Sequence, residues 1–335
     1  MTTMNVTTTT TMTTMNVTTA TAAPTPSGRA APPPEDAIGD MWMRFWFTPA
    51  GPWPLALVRI LGGLVALALW ASYAWDLETW FGPQGMISPA LLAAWRSPWA
   101  ASLFDGVTSP TALWLGYTAG GLVLLALTIG LATPLTTPLG ALAFTTLLHR
   151  GPMLAGPADD VTAVILWCLA IGRAGDGLSV DRLIGAWRGR AESGATLRTR
   201  IALGLLRVHA SVIAAAAALA QLRGDVWWNG TAAWWLTARV ESRLVDLTGP
   251  FLASEYLMNL VTHALVGFEI LFAAGLWFST ARRVVAPLGI VAWPLVGAVA
   301  GEPLWGLALA VLAVGCLPSE RRGVYGPFWC SSPRT

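Results

Sequence analysis

Arg207, His209 and Glu269 are ionisable side chains that lie inside apolar segments long enough to cross a bilayer. Arg207 and His209 belong to Ile201–Gln221, and Glu269 lies about thirteen residues into Tyr256–Phe278. A charged group in the middle of a spanning helix costs about 2.5–3.5 kcal/mol on insertion scales, so each should have a partner or face a polar cavity. Groups of this kind could bind a lipid-phase molecule or exchange a proton with it. We therefore predict Arg207, His209 and Glu269 as candidate catalytic residues.

Arg207 and Glu269 are predicted to face each other or to share one polar cavity. The alternative partners are Arg59 for Glu269 and Asp160 for His209. Successive residues of a helix are rotated by about 100°, so Arg207 and His209 point in directions about 200° apart. One cavity can therefore receive both side chains only if it wraps around the helix.

Five further residues are candidates for holding a cofactor or lipid-phase ligand: Arg59, Arg150, Asp160, His263 and Trp228. Each also has a structural interpretation. An arginine near the end of a span can extend to the lipid headgroups, and a histidine can satisfy an acceptor within the bundle. An aspartate can cap a helix N-terminus, and tryptophan is common in the interface belt. Both interpretations stay open.

Composition places these residues in a membrane protein. The 335 residues are 55% hydrophobic and 11% charged, whereas soluble domains have about 25% charged residues. The predicted fold class is all-α: one polytopic transmembrane helix bundle with interfacial helices, in contact with membrane lipids. A net charge of +2 gives no reason to expect nucleic acid as a partner. The three cysteines have neither disulfide-framework nor metal-ligand spacing, so no metal site is predicted.

The chain divides by composition into three parts. Residues 1–40 are rich in threonine and proline and contain too little apolar area to offset their ordering entropy. They are predicted to be a disordered tail, with either Met1 or Met41 as the true start. Residues 41–320 are the predicted transmembrane domain, and residues 321–335 are a short C-terminal tail.

About eight spans are predicted within the membrane domain, and seven is the alternative count. They are Pro54–Trp75, Thr111–Ala132, Pro134–His149, Asp160–Ile171, Ile201–Gln221, Tyr256–Phe278, Val284–Ala300 and Pro303–Leu317. Interfacial helices are expected at 41–47, near 91–95 and within 231–247. The polar stretch 172–200 is expected to be a loop with a short helix.

The basic residues sort by side of the membrane. All twenty are arginine. Among the arginines that lie outside the eight predicted spans, thirteen are on the side of both termini and five are on the opposite side. Positive residues resist translocation, so both termini are predicted to be cytoplasmic, in a multi-pass protein of the inner cell membrane.

Several short motifs follow one another along the chain. They are PLALVRI at 54–60, FGPQG at 81–85, Arg150 with Gly156 and Asp160, SVD at 179–181, and WNGTA at 228–232. In this order they resemble the horizontally transferred transmembrane (HTTM) family, bacterial relatives of the membrane part of vitamin K-dependent γ-carboxylase, over about residues 50–320. The resemblance implies packed helices with a polar cavity opening near one interface. For the carboxylase branch it also implies a quinone cofactor that an intramembrane lysine deprotonates.

The chain departs from the carboxylase pattern at that base. The lysine would correspond to the neighbourhood of Ala220–Leu222, and this chain contains no lysine. Arg223 cannot replace it, because arginine stays protonated in nearly any environment. The family's histidine in the penultimate span is also replaced, around Trp293, and we expect no soluble domain after the helices. We therefore do not expect glutamate carboxylation.

Two classes of function remain. The first is an enzyme or binder that acts on a lipid-phase molecule, such as a quinone or lipid, in an intramembrane polar cavity, and the family resemblance favours it. The second is a non-catalytic membrane subunit or transporter-like component whose buried charges only fix helix packing, and the missing lysine favours it. Specific retention of quinone or lipid by the purified protein would separate the two.

Overall fold

The computed structural model describes residues 34–97, 100–190, 194–237 and 239–318. The chain divides into two compact units, Met1–Trp42 and Met43–Thr335. Of the first unit, the described residues are 34–42, and they are helical. The predicted tails therefore lie largely outside the described residues: 1–33 of the first, and all of 321–335. The fold that follows is that of the second unit.

The described part of the chain is helical and contains no strand, which confirms the all-α prediction. Its α-helices are α1 (Pro34–Phe47), α2 (Trp53–Ser72), α3 (Leu77–Phe81), α4 (Pro89–Trp95), α5 (Pro110–Ile129), α6 (Thr133–Arg150), α7 (Pro157–Ile171), α8 (Val180–Trp187), α9 (Leu197–Gln221), α10 (Asp225–Trp228), α11 (Ala232–Leu236), α12 (Thr248–Ala253), α13 (Glu255–Gly275), α14 (Ser279–Ala300) and α15 (Pro303–Gly315). A short 3₁₀ turn at Leu103–Gly106 precedes α5.

Five of the described helices, α2, α5, α9, α13 and α14, are long and apolar enough to cross a membrane. Helix α15 is apolar but has only 13 residues, and α6 and α7 have 18 and 15 residues. A helix needs about 20 residues to cross a 30 Å hydrocarbon core. The count of eight spans therefore stays a prediction for these three shorter helices.

The bundle is built around α2. This helix packs against α5, α7, α9 and α15. Gly62 and Gly63 let it approach its neighbours closely, because a Cβ at Gly62 would meet Ile165 on α7 at 2.9 Å. Helices α5 and α6 continue the bundle on one side of α2, while α13 packs on α9 and α14 packs on α15 on the other.

Helix boundaries follow side-chain caps that the sequence carries. The hydroxyls of Ser109, Thr196 and Ser254 accept hydrogen bonds from main-chain N–H groups in the first turns of α5, α9 and α13, each at 3.2 Å. Such caps satisfy N–H groups that have no partner within the helix. Helix α5 ends at Gly130, whose φ of 77° is the left-handed conformation that glycine adopts without strain.

The predicted interfacial segments contain helices, but the bounds of these helices differ from the predicted ones. The helix expected at 41–47 begins at Pro34, inside the predicted tail. Helix α4 and helix α8 lie where short helices were expected. The stretch 231–247 is helical only at Ala232–Leu236.

Candidate functional site

A polar cavity of about 480 Å³ opens where α9, α14 and the end of α15 meet. Its lining contains four arginines, Arg200, Arg207, Arg282 and Arg283. The other lining residues are Trp53, Leu203, Ser279, Pro287, Gly315, Leu317 and Pro318. No acidic side chain is among these described lining residues. We call this space the arginine cavity.

Arg207 is the most buried of the four arginines, with 7% of its surface exposed. Its guanidinium carbon lies 5.3 Å from the centre of the Phe45 ring, a distance at which the ring face attracts a cation. Its Nε has no hydrogen-bond partner within the described part of the structure. A buried guanidinium without a carboxylate partner is costly, and no ion pair of Arg207 occurs among the described residues, so an anion at this position would offset that cost.

The other three arginines surround Arg207 at one end of the bundle. Arg200 donates hydrogen bonds to the main-chain oxygens of Phe45 (2.5 Å) and Arg44 (3.1 Å) at the end of α1. Arg282 and Arg283 are the fourth and fifth residues of α14, close to its N-terminus, where the helix dipole also favours negative charge. The planar guanidinium binds phosphate and carboxylate through paired hydrogen bonds. The arrangement is therefore suited to an anionic group.

The predicted pairing of Arg207 with Glu269 is wrong. Glu269 accepts a hydrogen bond of 3.0 Å from Gln221 instead, at the far end of α9. From Arg207 to Gln221 is fourteen residues, or about 21 Å of helical rise. Ser211 fixes this register, because its hydroxyl donates to the main-chain oxygen of Ala273 at 2.8 Å. Arg207 therefore lies opposite the start of α14, and Glu269 lies on the other side of the Ser211 contact.

Arg59 is a structural residue in this fold and does not extend to lipid headgroups. It is fully buried and donates hydrogen bonds to the main-chain oxygens of Ala174 (3.0 Å) and Leu178 (2.6 Å). The nearby carboxylate of Asp181 accepts from the main-chain N–H groups of Ala132 and Thr133, each at 2.7 Å. Arg59 thus fixes the loop after α7, and Asp181 caps α6. The alternative pairing of Arg59 with Glu269 does not occur.

Arg150 has a similar role at another loop. It is 7% exposed and donates to the main-chain oxygen of Phe81 at 3.3 Å, which joins the end of α6 to the FGPQG turn. Close by, Arg96 binds the carboxylate of Asp105 at 2.7 Å. Partial burial acts to raise the pKa of Asp105, but the hydrogen bonds from Arg96 and the Ser102 N–H outweigh it and hold this pKa below its usual range.

The remaining predicted candidates do not line the arginine cavity. The Nδ1 atoms of His209 and His263 lie 2.8 Å from the oxygens of Leu205 and Asn259, one turn earlier in their own helices. Each contact is one that a histidine can make within its own helix, and no hydrogen bond or ion pair joins His209 to Asp160 in the described part of the structure.

Asp160 and Trp228 are both exposed. The buried acid of the pair is Asp159, which accepts from the Gly156 N–H at 2.8 Å and so caps α7. The indole of Trp228 donates to the Leu222 oxygen at 2.7 Å. Neither Asp160 nor Trp228 lines the arginine cavity. No group of metal-binding side chains occurs among the residues that the structure describes.

Sequence reasoning missed two features of the site. Arg200, Arg282 and Arg283 were used only to assign sides of the membrane. Their predicted position on one side, the side nearest to Arg207, was the signal that the four arginines could lie together. Gln221 was overlooked because an amide carries no charge, yet it is the partner of Glu269.

In comparisons with known proteins, no family model, curated protein or solved structure matches the chain. The fold itself defines a multi-pass, helical integral membrane protein whose apolar helices contact lipid.

Proposed function

We propose that this protein binds an anionic lipid-phase molecule, with its charged headgroup in the arginine cavity. The observation that supports this most is the grouping of four permanently positive guanidiniums, one of them 93% buried, around a space of about 480 Å³ without a lining carboxylate. A bound phosphate or carboxylate would neutralise their mutual repulsion and accept hydrogen bonds from Arg207.

The surface beside the cavity suits the apolar part of such a molecule. Helix α14 exposes Val284, Leu288, Val291 and Leu295 along one stripe, starting next to Arg283. These residues are spaced three or four positions apart, which places them on one helix face. A lipid whose headgroup enters the cavity could lay its chains along this stripe.

The HTTM resemblance supports the same proposal, because that family is expected to have a polar cavity opening near one interface. A quinone is the second ligand that the resemblance suggests. The alternative function, a non-catalytic subunit whose buried charges fix helix packing, has a specific observation in its favour: within the described residues, Arg59 and Arg150 donate their hydrogen bonds to main-chain oxygens. Arg207 differs from both, because its Nε has no partner and no hydrogen bond joins its side chain to a main-chain oxygen in that part of the chain.

The proposal predicts that the purified protein retains anionic phospholipid and that Arg283→Gln lowers this retention several-fold. Arg283 is exposed and lines the cavity, so its loss should not disturb folding. The measurement is mass spectrometry of lipids extracted from protein purified in detergent. Arg188→Gln is the matched control, since Arg188 is an exposed arginine outside the cavity lining. Equal phospholipid in all three proteins would contradict the proposal, and retained quinone without phospholipid would support the second ligand.

We further propose that the cavity opens toward the cytoplasmic face. The turn before α14 then lies on the same side as both termini, where the leaflet is rich in anionic lipid. A reporter fused after the last residue is expected to be active only in the cytoplasm. Activity of the fusion in the periplasm would reverse this orientation.

A further inference from the structure

Glu269 and Gln221 form a second buried polar site, separate from the arginine cavity. Glu269 is 2% exposed, and its Oε1 accepts from the Gln221 Nε2 at 3.0 Å. Two further oxygens of this pair, Glu269 Oε2 and Gln221 Oε1, are buried and have no hydrogen-bond partner within the described structure. The pair therefore holds two acceptors for which the described residues supply no donor.

A proton on Glu269 corrects this imbalance. A carboxylic acid and a primary amide are complementary: the acid O–H donates to the amide oxygen, and the acid carbonyl accepts from the amide N–H. The second of these bonds is the one already present between Gln221 and Glu269. A charged carboxylate would instead leave both of these buried oxygens without a donor.

Charged groups on the surrounding helices do not stabilise a carboxylate here. On α9, Arg207 lines the arginine cavity and His209 faces the Leu205 oxygen. On α14, Arg282 and Arg283 also line that cavity. Within α13 itself, His263 is exposed and lies against the Asn259 oxygen. Helices α11 and α12, which also pack on α13, contain no ionisable residue.

We propose that Glu269 and Gln221 form a proton-binding site inside the membrane domain, in which Glu269 is a neutral carboxylic acid at neutral pH. The ligand of this site is the proton itself. The site stands independently of the arginine cavity, so neither proposal depends on the other.

A hydrophobic carbodiimide tests this proposal on the full-length protein, because it enters apolar regions and reacts with protonated carboxyl groups. The carboxyl oxygen bonds to the central carbon of the carbodiimide while the acid proton moves to one nitrogen. The acyl group then migrates to nitrogen, which leaves a stable N-acylurea with the added mass of one reagent molecule. Peptide mass spectrometry of dicyclohexylcarbodiimide-treated protein should locate this adduct at Glu269 and find it absent from Glu269→Gln. Glu302→Gln is the control, since Glu302 is paired with Arg239 outside the buried site, and its loss should leave the adduct intact.

Infrared spectroscopy tests whether Glu269 is protonated even if the carbodiimide cannot reach the site. The difference spectrum between wild-type protein and Glu269→Gln at neutral pH should show loss of a carboxylic-acid carbonyl band. In Gln221→Leu that band should persist and move to higher frequency, because its hydrogen bond to the amide is lost. Loss of carboxylate bands in the Glu269→Gln difference spectrum would overturn the proposal.

Discussion

Replacing Arg59 with methionine is expected to lower the free energy of unfolding by about 3–6 kcal/mol. Two hydrogen bonds from a charged donor are lost, each worth about 1.5–3 kcal/mol. The main-chain oxygens of Ala174 and Leu178 would then lack the donor that they have now. Methionine fills much of the same apolar space, so the effect reports the guanidinium rather than a cavity. Thermal denaturation in detergent and the yield of monodisperse protein measure it.

Two further variants show whether the loss comes from the guanidinium of Arg59. Arg188→Met removes an exposed arginine and should change stability by less than about 0.5 kcal/mol. Arg59→Lys should recover only part of the loss, because an ammonium cannot reproduce the planar fork that reaches two oxygens. Wild-type stability of Arg59→Met would contradict the role of this side chain in holding the loop after α7.

The fold class and many helix ends are readable from the sequence because their causes are local. An apolar run of about 20 residues predicts a spanning helix wherever it occurs. The caps at Ser109, Thr196 and Ser254 lie within three residues of the N–H groups that they bind. The helix bounds within residues 231–247 could not be predicted in the same way, because short interfacial helices depend on the bundle surface on which they pack.

The role of Arg59 could not be predicted, because its acceptors lie more than a hundred residues away in sequence. Residue type and depth alone allowed contact with lipid headgroups, with Glu269 or with a loop. Only the packing of α2 against the segment after α7 brings the Ala174 and Leu178 oxygens within reach. The same argument applies to Arg150, whose acceptor at Phe81 belongs to a turn that sequence could recognise but not place.

The predicted pairing of Arg207 with Glu269 was wrong because the sequence does not show the register in which α9 packs against α13. The sequence indicated that both residues lie within apolar spans, but the depth at which α9 meets α13 depends on where each helix ends. Helix α13 ends at Gly275, three residues before the predicted boundary at Phe278. The Ser211 contact with Ala273 then leaves Arg207 beyond the end of α13 and Glu269 near Gln221. The HTTM relationship stays a prediction.

Replacing Arg207 with methionine is expected to raise the free energy of unfolding, whereas Arg59→Met lowers it. Both arginines are more than nine-tenths buried, but the Nε of Arg207 has no acceptor among the described residues, and Arg207 shares its cavity with three other guanidiniums. Exchange of buried ionic groups for apolar ones stabilises proteins by about 1–4 kcal/mol in favourable cases. Loss of the Phe45 ring contact offsets about 0.5–1 kcal/mol of this gain. We therefore expect delipidated Arg207→Met to be more stable than wild type by about 1–3 kcal/mol.

The same variant should lose the stabilisation that an added ligand provides. A ligand that binds only the folded state raises the melting temperature by an amount that grows with the logarithm of its concentration relative to its Kd. Anionic phospholipid should therefore raise the melting temperatures of the wild type and of Arg188→Met. Anionic phospholipid should leave the melting temperature of Arg207→Met nearly unchanged. A zwitterionic lipid should shift the melting temperatures of all three proteins equally. A destabilised Arg207→Met that still responds to anionic lipid would show that Arg207 holds the fold, as Arg59 does, and that the cavity does not need it for binding. A buried arginine kept at a cost to stability, with the lipid response lost on its removal, is the behaviour expected of a binding residue.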